Sequence, residues 1–227
     1  MLRLITDFDG PIVDVSERYY QVYQLCLEKI KQPGQEVRSL PKEEFWQMKR
    51  LCTPEKEIAV TSGLDEDQAE AFAKLRKETV HTQPYFEYDV LVPGAIDALS
   101  KLEFLGFDIA VMTMRRVREL DYAFEKYDLG IFFEKNRRYC LSNDYVKTRD
   151  VEDKPLLMRR AMKELPPAED TWMVGDTEAD IAAAKKYGIK MIAVESGIRD
   201  RSQLELYKPD YIVENLLAAV ELVARYL

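Results

Sequence analysis

A single histidine, His81, is all that the 227 residues contain. That scarcity removes the raw material for Ser-His-Asp triads and for histidine metal cages, so acid–base chemistry falls to carboxylates, lysine or water. The three cysteines, Cys26, Cys52 and Cys140, are odd in number and sit in no CxxC or Cys/His pattern. A disulfide framework and a zinc knuckle are thereby excluded, and a reducing compartment is expected. Positive charge is also in short supply: 33 Lys and Arg face 41 Asp and Glu, for a net charge of -8 with no basic block. Such a field repels nucleic acid and anionic membranes, so neither is an expected partner. No apolar run approaches a membrane span, and the opening Met1-Leu2-Arg3-Leu4-Ile5-Thr6-Asp7 turns acidic too early for a signal peptide. The expected location is the cytoplasm, and an anionic substrate would need a local positive site.

The apolar fraction, 47%, is ample for a full core, and the length suits one large domain or a core with a satellite. Residues 2–6 form a short apolar run that ends abruptly in Asp7-Phe8-Asp9-Gly10-Pro11, which reads as a buried strand followed by a tight turn. From Val15 the character changes. Val15, Tyr19, Val22, Cys26 and Ile30 recur at helical spacing until Pro33-Gly34, and further helical stretches are expected near 43–51, 55–60 and 65–82. Residues 15–88 therefore read as an all-helical insertion after the first strand. After Val92-Pro93-Gly94 helix and apolar run alternate: helix 94–105, strand 107–112, helix 117–127, strand 138–141 and helix 155–165. They continue through strand 171–174, helix 178–187, strand 190–194, a short strand 211–213 and an amphipathic helix ending at Leu227. This alternation specifies an α/β class: a three-layer, Rossmann-like parallel sheet core, residues 1–14 and 89–227, with a small helical cap, residues 15–88.

In such sheets polar groups past the carboxyl ends of central strands converge on one crevice. At the first strand end, Asp7 and Asp9 are two apart, so in extended geometry both carboxylates start on one side of the chain and repel unless they share a cation or proton. An Asp-Gly turn with solvated acids accounts for the same residues. Thr113 directly follows the next strand, where its hydroxyl and the amides of the following helix suit a phosphoryl oxygen; a threonine that merely caps that helix is the alternative. Lys154 precedes Pro155, a residue that favours the first helical position, so its ammonium is expected at a helix's positive end, where an anion between them makes sense of it. Surface lysines are common enough to supply another account. In Gly175-Asp176-Thr177-Glu178-Ala179-Asp180, Asp176 points into the crevice and Asp180 lies one helical turn on. Thr177-x-x-Asp180 also fits a capping box, which leaves Asp176 unexplained. Acids, a hydroxyl, a lysine and further acids after successive strands of one sheet are what a phosphate site around a metal requires.

Taken together, Asp7-Phe8-Asp9-Gly10, Thr113, Lys154 and Gly175-Asp176-x-x-x-Asp180 resemble the four motifs of the haloacid dehalogenase superfamily, in their usual order. The insertion resembles the cap of its phosphoglycolate phosphatase and beta-phosphoglucomutase branch. Two positions depart from that pattern: Pro11, where many relatives have threonine or valine, and Met114, where phosphoglycolate phosphatases often have asparagine.

The resemblance implies a Mg2+-dependent phosphatase acting on a small-molecule phosphomonoester. Asp7 would be the nucleophile, forming an aspartyl-phosphate, and Asp9 the general acid and base, its carboxyl raised by acidic neighbours. Thr113, Met114, Arg115 and Lys154 would bind the transferring group. Asp7, Asp9 through its carbonyl, Asp176 and Asp180, nearest or one shell out, would hold Mg2+. Relatives that cleave carbon–halogen or carbon–phosphorus bonds lack the second aspartate, so Asp9 favours phosphate esters. Lys49, Arg50 and Lys56 are candidate contacts from the cap, one of Arg115 and Arg116 should face the crevice, and Tyr19, Tyr20 and Tyr23 either line the cap or pack its core. The rivals are a phosphosugar mutase, a receiver-like phospho-acceptor switch and a silent binding protein; a monomer or homodimer is expected.

Overall fold

The computed structural model describes residues 1–226, so the expected helix end at Leu227 lies outside the described residues. It divides into two compact units. One comprises Met1–Asp14, Leu91–Gly197 and Leu204–Leu227; the other comprises Val15–Val90 and Ile198–Gln203.

The first unit is the α/β part. Strand β1 (Leu2–Thr6) is followed by the two-residue β2 (Val13–Asp14). Four helices come next in the chain and belong to the other unit: α1 (Ser16–Ile30), α2 (Lys42–Arg50), α3 (Glu55–Thr61) and α4 (Glu66–Thr79). After β3 (Val90–Leu91) the chain alternates through α5 (Ala95–Phe104), β4 (Asp108–Arg116), α6 (Val117–Tyr127), β5 (Arg138–Leu141), α7 (Asp150–Glu164) and β6 (Asp170–Gly175). It ends with α8 (Glu178–Lys186), β7 (Lys190–Val194), α9 (Arg201–Leu206), β8 (Tyr211–Val213) and α10 (Leu216–Val223).

The main sheet has the order β5-β4-β1-β6-β7-β8, and every pairing described in it is parallel. This is the α/β architecture expected from the alternation of apolar runs and helices. Because side chains alternate across a pleated strand, Ile5, Ala110, Met112 and Met173 pack on one face with Leu157, Met158, Ile181 and Ala184 of α7 and α8. Leu4, Val111, Trp172 and Val174, one residue out of step, are buried as well, so the central strands are covered on both sides. The chain leaves β1 towards β4 and β5, then returns to β6 on its other side. The ends of β1, β4 and β6 thus form the point where the strand order reverses.

Two boundaries differ from expectation, and both bear on the site. Strand β4 does not stop at Met112 but continues to Arg116, with an irregularity in its pairing to β5 between Met112 and Arg116. Helix α7 begins not at Pro155 but at Asp150. Its first turn holds Asp150, Glu152 and Asp153, acids that suit the positive end of a helix. The Asp153 carboxylate also accepts from Thr148 N at 2.8 Å, Thr148 Oγ1 at 2.9 Å and Tyr145 Oη at 3.0 Å. That anchorage starts the helix early enough to carry Pro155 inside it.

The helical unit has its own apolar cluster, built from Val22, Tyr23, Cys26, Phe45, Ile58 and Phe72 among others. Tyr23 stacks on Phe45 with ring centroids 4.7 Å apart, and Tyr20 packs against both, so these two tyrosines serve the core of the unit. Asp65 caps α4 by accepting from Gln68 N at 2.8 Å, and Gln68 Oε1 accepts from Asp65 N at 3.0 Å. Arg18 is fully buried and pairs with Asp89 at 2.8 Å. Its Nη1 lies 3.3 Å from His81 Nδ1, so the lone histidine takes part in this structural network.

Candidate active site

Beyond β1 the chain stays in register for one more residue: Asp7 N donates to Val174 O at 2.7 Å. Asp7 is thereby fixed beside β6, and its Oδ1 accepts from Phe8 N at 2.7 Å. Asp176 follows the last residue of β6, Gly175, and Asp180 lies in the first turn of α8. Lys154, one turn into α7, is 1% exposed. Its Nζ stands 2.6 Å from Asp7 Oδ2 and 2.5 Å from Asp180 Oδ1. Oxygens of Asp7, Asp176 and Asp180 all lie within 4.8 Å of one another, and all three residues are buried.

Asp180 serves both readings of its motif at once. Its Oδ2 accepts from Thr177 N at 3.0 Å, the carboxylate's half of the capping box, and from Thr177 Oγ1 at 2.6 Å, while Oδ1 faces Lys154. The local backbone makes room for these carboxylates. A Cβ on Gly10 or Gly197 would overlap the Asp176 side chain, and one on Gly175 would overlap Asp180. Gly10 also has φ +94°, a conformation that disfavours other residues.

Burial raises the Asp7 carboxyl well above its usual range, and the nearby Asp180 and Asp176 carboxylates add to the effect against the opposing pull of Lys154. Burial alone would lower the Lys154 ammonium, but Asp180 and Asp7 overcome it and hold the amine protonated. Lys154 thus pairs with Asp7 and Asp180, and Asp176 lies within 4.8 Å of both, which concentrates negative charge in low dielectric. An all-oxygen donor set of this kind fits a hard divalent cation, which would restore the balance.

Asp9 is not in that group. The assumption of extended geometry past Asp7 fails because the chain turns: Gly10 N donates to Val13 O at 2.8 Å, and Ile12 N to Phe8 O at 3.1 Å. Asp9 faces a guanidinium instead of acids, with its Oδ1 2.9 Å from Arg115 Nε and 2.7 Å from Arg115 Nη2. Thr113 lies inside β4, not past its end. Continuing the pairing of Thr6 with Val111 sets it one residue beyond the level of Asp7 on the neighbouring strand. Its Oγ1 accepts from Arg115 N at 3.1 Å, and the next helix starts four residues later, too far on for its first amides to sit beside that hydroxyl. The Met114 side chain is packed in the apolar cluster under the sheet, which removes it as a polar contact. Arg116 donates to Tyr145 O at 3.2 Å.

Gly197 and Ser196 were missed by sequence reasoning. They follow β7, and Ser196 Oγ donates to Gly10 O at 2.8 Å, tying that loop to the turn after Asp7. Their position just past a strand's carboxyl end was the available signal. The Asp153 anchorage that positions Lys154 carried no comparable signal, since an acid near a helix start is ordinary.

Residues 153–219 match the family model described as HAD-hydrolase-like. "Probable phosphatase IndB" of Dickeya dadantii is 27% identical over 225 residues, spanning 96% of this chain and 91% of that protein. The chain is therefore similar to haloacid dehalogenase-like hydrolases. A phosphoglycolate phosphatase of Pseudomonas fluorescens is 25% identical over 158 residues, 70% of this chain but only 56% of that protein, so this chain spans about half of that relative's length. A haloacid dehalogenase-like family hydrolase of Streptococcus pneumoniae shares the fold, with TM-score 0.69, 20% identity, and 99% and 98% of the two chains covered. Among the described residues no helix is long and apolar enough to cross a membrane.

Proposed function

We propose that this HAD-like chain is a Mg2+-dependent phosphatase that hydrolyses a small-molecule phosphomonoester through an aspartyl-phosphate on Asp7, in the cytoplasm. The observation that carries the reading is the buried meeting of Asp7, Asp176 and Asp180, two of them in contact with Lys154. Three carboxylates within 4.8 Å of one another concentrate negative charge in a way that suits a cation and, with it, a bound phosphoryl group. Asp7, Asp176 and the carbonyl of Asp9 would hold Mg2+, with Asp180 fixing Lys154 beside them. When bound, Mg2+ supplies charge that offsets the repulsion between a carboxylate and a phosphate ester.

The chain's own groups then divide the work. Asp7 Oδ forms a bond to phosphorus as the ester oxygen departs, and Asp9 delivers a proton to that oxygen. Water next attacks phosphorus, the Asp7–phosphorus bond breaks, and Asp9 takes the proton back. Lys154 and the Thr113 hydroxyl bind the transferring oxygens, where charge spreads in the transition state. The main-chain amides of Met114 and Arg115 are the available donors there, since the Met114 side chain lies in the core.

The test is hydrolysis of a generic aryl phosphate with and without Mg2+. Asp7→Asn should abolish Mg2+-dependent turnover while the fold survives, and retained activity would refute the nucleophile. A panel of phosphoglycolate, sugar phosphates and nucleotides then ranks substrates by phosphate release.

A further inference from the structure

Arg115 carries a full charge yet is buried, 3% exposed. Its guanidinium lies 4.9 Å from the Phe8 ring centroid, and both Nε and Nη2 reach the same oxygen of Asp9. An enclosed guanidinium is unfavourable in low dielectric unless it is paired, so the fold favours this contact. The backbone from which Arg115 projects is fixed too, because its N–H donates to Thr113 Oγ1 within β4. Asp9 is in a different position. It sits on the turn after β1 and its side chain is 28% exposed. The enclosed guanidinium therefore fixes the direction of the more exposed carboxylate.

We propose that Arg115 is a positioning residue: by holding Oδ1 of Asp9 it aims Oδ2 at the water that cleaves the phosphorylated Asp7. The inference rests on the reading of Asp7 as nucleophile and Asp9 as acid and base. In the step concerned, the water oxygen bonds to phosphorus, the bond from Asp7 Oδ to phosphorus breaks with its electron pair returning to the carboxylate, and the water proton passes to Asp9. Inorganic phosphate is released. Arg115 makes and breaks no bond; it removes the search among Asp9 rotamers. Two of its three guanidinium nitrogens, Nε and Nη2, are turned to Asp9.

Arg115→Met and Arg115→Lys test this with 4-nitrophenyl phosphate and Mg2+ in stopped flow. That ester's leaving group departs without a proton, so phosphorylation of Asp7 is independent of Asp9, and only the second half-reaction feels its placement. Arg115→Met is expected to lose about 100-fold in kcat, the scale of a displacement of about 1 Å, with KM falling alongside so that kcat/KM is held. Nitrophenolate should appear in a burst stoichiometric with enzyme, and the phosphorylated chain should accumulate in intact-mass spectra after acid quench. Arg115→Lys, which returns an ammonium to Oδ1, should recover part of kcat. Unchanged kcat, or a loss shared equally by kcat and kcat/KM, or a raised KM without a burst, overturns the proposal. Asp7→Asn separates the two readings: a burst that persists in that variant sinks the nucleophile assignment itself, whatever Arg115 does.

Discussion

Lys154 and Asp180 meet at 2.5 Å, Nζ to Oδ1, in a place where neither side chain reaches solvent. The same ammonium contacts Asp7 at 2.6 Å, so one lysine on α7 fixes a carboxylate from β1 and another from α8. Removing it would strand two buried carboxylates. Lys154→Met is expected to destabilise the protein by about 3–5 kcal/mol, as for a buried ion pair deprived of one partner. Asp180→Asn in that background should recover part of the loss, because it deletes a stranded charge. Urea unfolding of the four proteins of this cycle checks it; losses that simply add would mean the two groups are not coupled.

Mg2+ should raise the melting temperature of the wild type, since a ligand that binds only the folded state stabilises by about 2.7 kcal/mol at a hundredfold excess over its Kd. Asp176→Asn should remove most of that shift, because the three clustered carboxylates are the basis of the site. K+ at matched ionic strength should leave the melting temperature unmoved. An equal Mg2+ shift in wild type and variant would place the ion elsewhere.

The chain's order of strands and helices was legible because apolar runs and helical periodicity are local signals, and the motif residues Asp7, Lys154, Asp176 and Asp180 do converge. What escaped were effects decided by tertiary contact. Thr113 to Arg116 stay extended because β4 continues beside β5 past an irregularity, where sequence suggested a strand end at Met112. Lys154 sits within a helix whose start is set by Asp153, Thr148 and Tyr145, so the usual reading of proline at the first helical position misplaced it by one turn. Asp9 parted from Asp7 because the turn at Gly10 ends the two-residue alternation.

Gly197→Ala should cripple the site although it adds a single methyl. That Cβ would overlap the carboxyl group of Asp176, which is itself enclosed. Core overpacking of this sort costs about 1–3 kcal/mol, and here it displaces a group at the centre of the chemistry. The expected outcome is loss of phosphatase activity and of the Mg2+-dependent thermal shift. Gly130→Ala is the control, since its Cβ would meet only Arg138 Nη2 at an ordinary 3.5 Å. Normal Mg2+ binding by Gly197→Ala would show that Asp176 does not need its present position.

Lys49 supplies a pH dependence that belongs to the helical unit. Burial pushes its ammonium down to about 8 from the ordinary 10.5, the cations of Arg76 and Arg199 push the same way, and Glu55 only partly opposes them. In the unfolded chain the amine keeps its ordinary affinity for the proton, so between about 8 and 10.5 the unfolded state binds more protons than the folded one. Stability from this group therefore rises with pH across that window, and below about 8 the folded protein bears the full cost of a buried charge. Lys49→Met removes the cost, while Glu55 keeps Arg76 as a partner at 2.8 Å. The variant is expected to be more stable than wild type near neutrality, with an advantage that shrinks as the solution approaches about pH 10. Denaturant unfolding of both proteins across this range reads the difference directly; a gap that stays constant or widens with pH would mean that Lys49 titrates at its ordinary value.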